Sequence, residues 1–284
     1  MNTKAFLVAG VFVSGWIGAS ALFAQTPKVS FPAPSPACTL KQRVGLTDIE
    51  IVYSRPGVKD RPIFGGLLPY GEVWRTGANQ ATKISFSTSV KLNGAEIPAG
   101  QYALYTIPDK KEWTVIIYKD TAGSIFNYNP TNDLVRFKAT PVKLANPVET
   151  FTLGFNDIRD DSATLNLDWE KTRVPVKLEL DFTRKLVPQI EAVMAGPGDQ
   201  KPYYQAAMFY FDHGQDLKKA SQWIDAALAQ REAHYMVYLK AQILAKLGDK
   251  PGAIAAAKRS AELALKANDK GYVKLNEDLI SSLR

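Results

Sequence analysis

One cysteine in 284 residues, Cys38, rules out an intramolecular disulfide and any zinc site built on several cysteines. Histidine is almost as scarce. His213 and His234 are the only two, and both lie late in the chain. The region before them therefore has no imidazole for a general base, a nucleophile–base pair or a metal site. A Gly-x-Ser-x-Gly elbow, a Ser-x-x-Lys pair and a glycine-rich phosphate loop ahead of a helix are also missing. No motif implies a cofactor or a metal. Charge is spread, with no run of five like residues, and no nucleic-acid-binding motif occurs, so nucleic acid is not an expected partner.

Long apolar runs are lacking too, apart from one at the N-terminus. Lys4 precedes Ala5–Phe23, an uncharged apolar or small stretch. Ala19-Ser20-Ala21 and Leu22-Phe23-Ala24 offer two cleavage frames, so residues 1–24 read as a secretory signal peptide. Left uncleaved, the same run is long enough to span a bilayer and would be the chain's one membrane contact. Cleavage removes one basic residue and no acid, taking the formal charge from +7 to +6. The expected location is exported, periplasmic or secreted. Residues 25–39, with Pro27, Pro32, Pro34 and Pro36, read as a linker. Those prolines before Cys38 argue against a lipidated N-terminus and leave Cys38 as a small, half-buried hydrophobe.

What is present points to an α+β chain: an all-β sandwich or barrel, then α-helical hairpins. Residues 40–181 form the expected β domain. In Thr47–Ser54, Ile49, Ile51 and Tyr53 alternate with Asp48 and Glu50, the period of a half-buried strand. Further strands are expected at Lys83–Phe86, Val90–Leu92, Gln101–Ile107, Trp113–Tyr118, Val135–Thr140 and Phe151–Phe155, then at Ala163–Trp169 and Val174–Leu180. Asn93-Gly94 is a type I′ hairpin signal, because both central positions of that turn take positive φ. The short Glu170-Lys171 interval predicts a hairpin between the last two strands. About nine short strands without crossover helices favour a sandwich or barrel over βαβ units.

Residues 182–199 read as a connecting helix and linker, with Leu186, Ile190 and Val193 on one side and Pro188 inside. Beyond Gly196-Pro197-Gly198-Asp199, residues 200–284 repeat. Tyr204 and Tyr238, Ala207 and Ala241, Gly214 and Gly248, and Ala227 and Ala261 are each 34 residues apart. This resembles the tetratricopeptide family, over units 200–233 and 234–267 with a capping helix at Gly271–Leu283. The family's closing proline is absent and the register slips around Ala220. The array is rich in Tyr, Phe and Trp, which suit a core between hairpins or a concave face for a protein partner.

The segment Arg55–Gln80 has no sustained apolar period but five glycines and three prolines. Loops this long are usually functional or disordered, and this one is too aromatic for disorder. Arg55, Arg61 and Arg75 carry forks suited to carboxylate, phosphate or sulfate. Tyr70 and Trp74 could stack on a sugar, and Glu72, Thr76 and Asn79 could complete a polar rim. The expected site is a pocket for a small anionic or glycan-like ligand. In the opposing reading the arginines pair with Asp60, Glu72 and Glu50 to pin the loop, and Trp74 is a core plug. A third reading takes Asp60 with Glu72, or Glu72 with Asp133, as a carboxylate pair for glycoside hydrolysis.

The strings Tyr53-Ser54-Arg55-Pro56-Gly57-Val58-Lys59-Asp60-Arg61, Ile63-Phe64-Gly65, Val73-Trp74-Arg75-Thr76-Gly77-Ala78-Asn79 and Ala99-Gly100-Gln101-Tyr102 resemble an exported bacterial family known as domain of unknown function 2911. Asp60 stands where that family commonly has glycine. The resemblance implies export and the limits of the β domain; it implies no activity, cofactor or catalytic residue.

Overall fold

The computed structural model describes residues 31–122, 125–198 and 200–284. The signal-peptide reading of residues 1–24 lies outside them, as does the linker as far as residue 30. Among the described residues, ten antiparallel strands come first: β1 (Ala37–Val44), β2 (Thr47–Ser54), β3 (Thr82–Phe86), β4 (Val90–Leu92), β5 (Ala95–Ile97), β6 (Gly100–Ile107), β7 (Trp113–Tyr118), β8 (Asp133–Ala139), β9 (Val142–Asn156) and β10 (Ser162–Glu179). They make a six-stranded sheet, β1-β2-β3-β6-β7-β8, and a four-stranded one, β5-β4-β10-β9.

Alternation explains why the two sheets meet. Ile49, Ile51, Ile84, Leu104 and Val115 of the first sheet share one buried cluster with Phe151, Leu165, Leu167 and Val176 of the second. Each sheet removes one apolar face from water by covering the other, which makes a sandwich. The opposite face of the six-stranded sheet buries a smaller cluster of Ala81, Ala103, Tyr105, Ile116 and Tyr118. Asn93 and Gly94 take φ of 46° and 83° between β4 and β5, as the hairpin signal requires.

Three expectations need correction. The expected linker ends too late, because β1 begins at Ala37 and Cys38 packs half-buried against the core. This is an edge strand, exposed at every second position and carrying Lys41 and Arg43, so its apolar signal is weak. Glu170-Lys171 is not a hairpin turn. β10 runs through it, with Glu170 at φ 53° and register shifts against β9 on either side, so the polar break marks bulges. The strand expected at Phe151–Phe155 extends back to Val142 as β9, through residues too exposed to show alternation.

Six α-helices follow among the described residues: α1 (Thr183–Ala195), α2 (Tyr203–Asp212), α3 (Leu217–Gln230), α4 (His234–Leu247), α5 (Lys250–Lys266) and α6 (Lys270–Leu283). Val187 and Ile190 of α1 pack against the helical core, whereas Val193 is 53% exposed, contrary to the face expected for it. The 34-residue spacing holds for the first helix of each pair: Ala207 and Ala241 are both fully buried. In the second helix the spacing is 33. Asp216 and Asp249 are the N-caps of α3 and α5, and Ala220, Ile224 and Ala227 are buried like Ala253, Ala257 and Ser260. The first unit has one extra residue between its turn glycine, Gly214, and its capping aspartate. Ser260, rather than Ala261, is therefore the counterpart of Ala227.

Sandwich and helices are joined by more than the chain. Phe182 contacts Phe209 and His213, and His213 Nε2 lies 2.8 Å from Asp160 Oδ2 in the β9–β10 turn. No helix among the described residues is long and apolar enough to cross a membrane.

Candidate functional site

Residues 55–80 form a cap on one end of the sandwich, tied down mainly through backbone groups. Phe151 N–H donates to Pro56 O at 2.9 Å, and Val58 N–H to Glu149 O at 2.8 Å, binding the start of the loop to β9. Leu68 N–H donates to Ile63 O, closing a tight turn, and Gly71 N–H reaches Pro108 O. Trp74 then exchanges two backbone bonds with Thr106, at 2.7 and 2.9 Å, so it lies against β6 beyond the end of β3. Ala78 N–H returns to Ser54 O.

The eight expected site residues divide by role. Arg55 donates Nε to Phe151 O at 3.0 Å and its terminal nitrogen to Thr152 Oγ1 at 2.7 Å, a half-buried brace between β2 and β9. Arg61 curls onto Val58 O and Gly57 O, at 3.0 and 2.7 Å. Trp74 is 7% exposed and donates its indole N–H to Gly77 O, so it is a core plug rather than a stacking surface. Tyr70 lies over Gly65 with Lys110 above its ring. Asn79 is exposed and donates to Ser35 O and Ser54 Oγ.

Thr76 is not on a rim. It is fully buried at φ 54°, a β-branched residue in the left-handed region. Its hydroxyl lies 3.1 Å from that of Thr106, and its carbonyl accepts from Thr82 Oγ1 at 2.6 Å. Such backbone strain persists only where the surroundings over-determine it.

A cavity of about 430 Å³ opens beneath this loop, lined by Arg61, Glu72, Trp74 and Arg75 together with Ser35 and Trp169. Ser35 comes from the expected linker and Trp169 from β10, nearly a hundred positions beyond the loop. Neither has a local sequence signal, since each arrives by chain topology. Arg55, Tyr70, Thr76 and Asn79 do not line the cavity.

Arg75 differs from the other two arginines. Its Nε is buried without a hydrogen-bond partner among the described residues, and no described acid pairs with it. Leaving a buried donor unsatisfied costs about 1–3 kcal/mol, and more for a charged group. Its charge reaches Tyr105, whose phenol is pushed up first by burial, then by Tyr118 and Asp120, and eased back by Arg75.

The acids do not pair as proposed for the opposing readings. Glu50 is bound to Lys41 at 2.8 Å. Asp133 accepts from Tyr128 and Arg136; burial first, and then the bond to Asp133, push the Tyr128 phenol up to about 12, with Arg136 acting against them. Among the described residues Glu72 is the one carboxylate on the cavity lining, which Asp60 and Asp133 do not join.

The stretch that forms this cap and the sandwich behind it is what the comparisons with known proteins detect. A family model described as protein of unknown function (DUF2911) matches residues 35–178. The chain belongs to this family. The match takes in the whole loop, all the cavity-lining residues and nearly all of β10, and stops before α1. No curated protein and no solved structure matches the chain.

Proposed function

We propose that this protein is an exported, non-enzymatic binding or scaffold protein of the cell envelope, and that its loop cavity holds a small anionic ligand. The helices serve as a tetratricopeptide-like array for a protein partner. One observation carries the ligand reading: a half-buried arginine, Arg75, has no partner for its Nε among the described residues and lines a cavity that also contains Arg61. A guanidinium left without a carboxylate or carbonyl suits a ligand carboxylate, phosphate or sulfate. Strain at Thr76, the next residue, supports a preorganised site. Because both tryptophans of the cavity are packed into the core, charge rather than ring stacking is the basis of selection.

The test is a thermal-shift screen against carboxylate, phosphate and sulfate metabolites and anionic glycan fragments, with Arg75→Gln as the control. A ligand that binds only the folded state raises its apparent stability. The expected result is a hit that weakens with salt and disappears in a folded Arg75→Gln protein. Absence of any hit, or equal binding by the variant, overturns the reading in favour of a loop that only closes the sandwich.

A further inference from the structure

We infer that a second cavity, between the sandwich and α1, binds a single-chain amphiphile with an anionic head group. It lies at the other end of β2 from the loop cavity, a strand length of roughly 23 Å away. Its volume is about 820 Å³, within the range of small-molecule sites. Leu46, Val90, Ile97, Leu180, Phe182 and Leu186 contribute to its walls, coming from the β1–β2 turn, the β4–β5 sheet edge, the segment after β10 and the start of α1. Leu46 is 58% exposed at the tip of a hairpin, a position that ordinarily takes a polar residue or glycine. The helix stands off from the sheet on this side, because Val187 and Ile190 turn instead to the helical core.

The charges select the head group. Arg184 and Lys185, in the first turn of α1, line the cavity and form no ion pair with a described acid. Cations there oppose the helix dipole, which favours an anion at that end, and no side chain caps the helix. Lys91, the third cation on the lining, is 3.5 Å from Glu96, so each partly neutralises the other. Asp181 is the remaining acid, leaving two unpaired cations against one unpaired anion. An apolar chain along Leu46, Phe182 and Leu186, which keep accessible surface there, places a carboxylate or phosphate beside Arg184 and Lys185.

The experiment is displacement of anilinonaphthalene sulfonate from the purified protein. The competitors are dodecanoate and dodecyl phosphate below their micelle concentrations, dodecyl maltoside and inorganic phosphate. The two anionic amphiphiles are expected to displace the dye, and the maltoside and free phosphate to fail. Their relative affinities distinguish a carboxylate from a phosphate head. The double variant Arg184→Glu/Lys185→Glu, at exposed positions, should bind dodecanoate at least tenfold more weakly with a melting temperature no lower than that of the wild-type protein, since acids suit the helix N-terminus. Leu46→Gln should weaken dodecanoate independently of charge. Equal binding by all three proteins, displacement by the maltoside at the same concentration, or displacement by phosphate alone overturns the inference. Arg75→Gln leaves this binding unchanged, which separates it from the loop cavity.

Discussion

Trp74 lies stacked on Trp169, with ring centroids 5.6 Å apart and planes 19° from parallel. The pair joins the middle of the long loop to β10 of the opposite sheet. Phe151 and Trp113 meet Trp74 edge-on at 5.0 and 6.4 Å. Offset and edge contacts of this kind add to plain burial. The indole is thus the anchor through which a loop without regular structure acquires a fixed shape.

Replacing that anchor should cost more than replacing any other side chain of the loop. Trp74→Ala is expected to lower unfolding stability by about 3–5 kcal/mol, as large-to-small changes of a buried tryptophan do. Chemical denaturation checks this. A loss under 1 kcal/mol would mean that the backbone bonds to Thr106 hold the loop without the ring.

Features set by neighbouring residues were legible in the sequence, and features set by topology were not. The alternation of Ile49, Ile51 and Tyr53 gives β2 its bounds, and Asn93-Gly94 gives its turn, because both signals are local. The loop was marked by its glycines, prolines and arginines, and four of its eight named residues do not line the cavity. Distinguishing Arg55 from Arg75 requires knowing that Phe151 and Thr152 lie beside the former, across 96 and 97 positions. Glu170 misled because a bulge and a turn both interrupt alternation with a polar residue. The slip at Ala220 was visible, but its origin, one extra residue after Gly214, appears only when Asp216 and Asp249 are seen as equivalent caps.

Two glycines test backbone conformation with and without a steric term. Gly248 caps α4 at φ 86°, with nothing within 4 Å of an added Cβ, so Gly248→Ala should cost only the left-handed penalty, about 1–2 kcal/mol. Gly45 has φ 52°, and an added Cβ would sit 2.1 Å from the Asp160 carbonyl oxygen. That atom is backbone and cannot swing aside. Gly45→Ala should therefore cost at least twice as much as Gly248→Ala in equilibrium unfolding; equal losses would show that the β9–β10 turn moves freely.

The attachment of α1 to the helical array should depend on pH. Glu191 accepts from Lys219 and from Tyr210 at 3.1 Å, and these bonds, Lys219's first, hold its carboxyl below the ordinary 4.5. A lowered folded value means stability that is present above the unfolded value and lost as pH falls through the folded one. The gap in melting temperature between the wild-type protein and Glu191→Gln is thus expected to be full at neutral pH and to close below about 4.5. At the alkaline end Tyr210, pushed up to about 12 by burial and then by Glu191, favours the fold below its ordinary 10 and loses that contribution as pH rises through about 12. A gap that persists unchanged in acid would show that the Glu191 bonds do not favour its charged form.

Arg55 and Arg75 should respond oppositely to truncation, and the contrast bears directly on the loop cavity. Arg55→Ala removes charged bonds to Phe151 O and Thr152 Oγ1, and hydrogen bonds to charged groups contribute about 1.5–3 kcal/mol. The variant should be less stable by roughly that much. Arg75→Ala breaks no side-chain hydrogen bond and removes a buried donor that lacks a partner, so its stability should be unchanged or higher. Residues kept for binding often leave the empty protein less stable than it could be. Side-by-side melts of the two variants decide the matter: if Arg75→Ala is the more damaged, its guanidinium has a structural partner and the case for a ligand there falls.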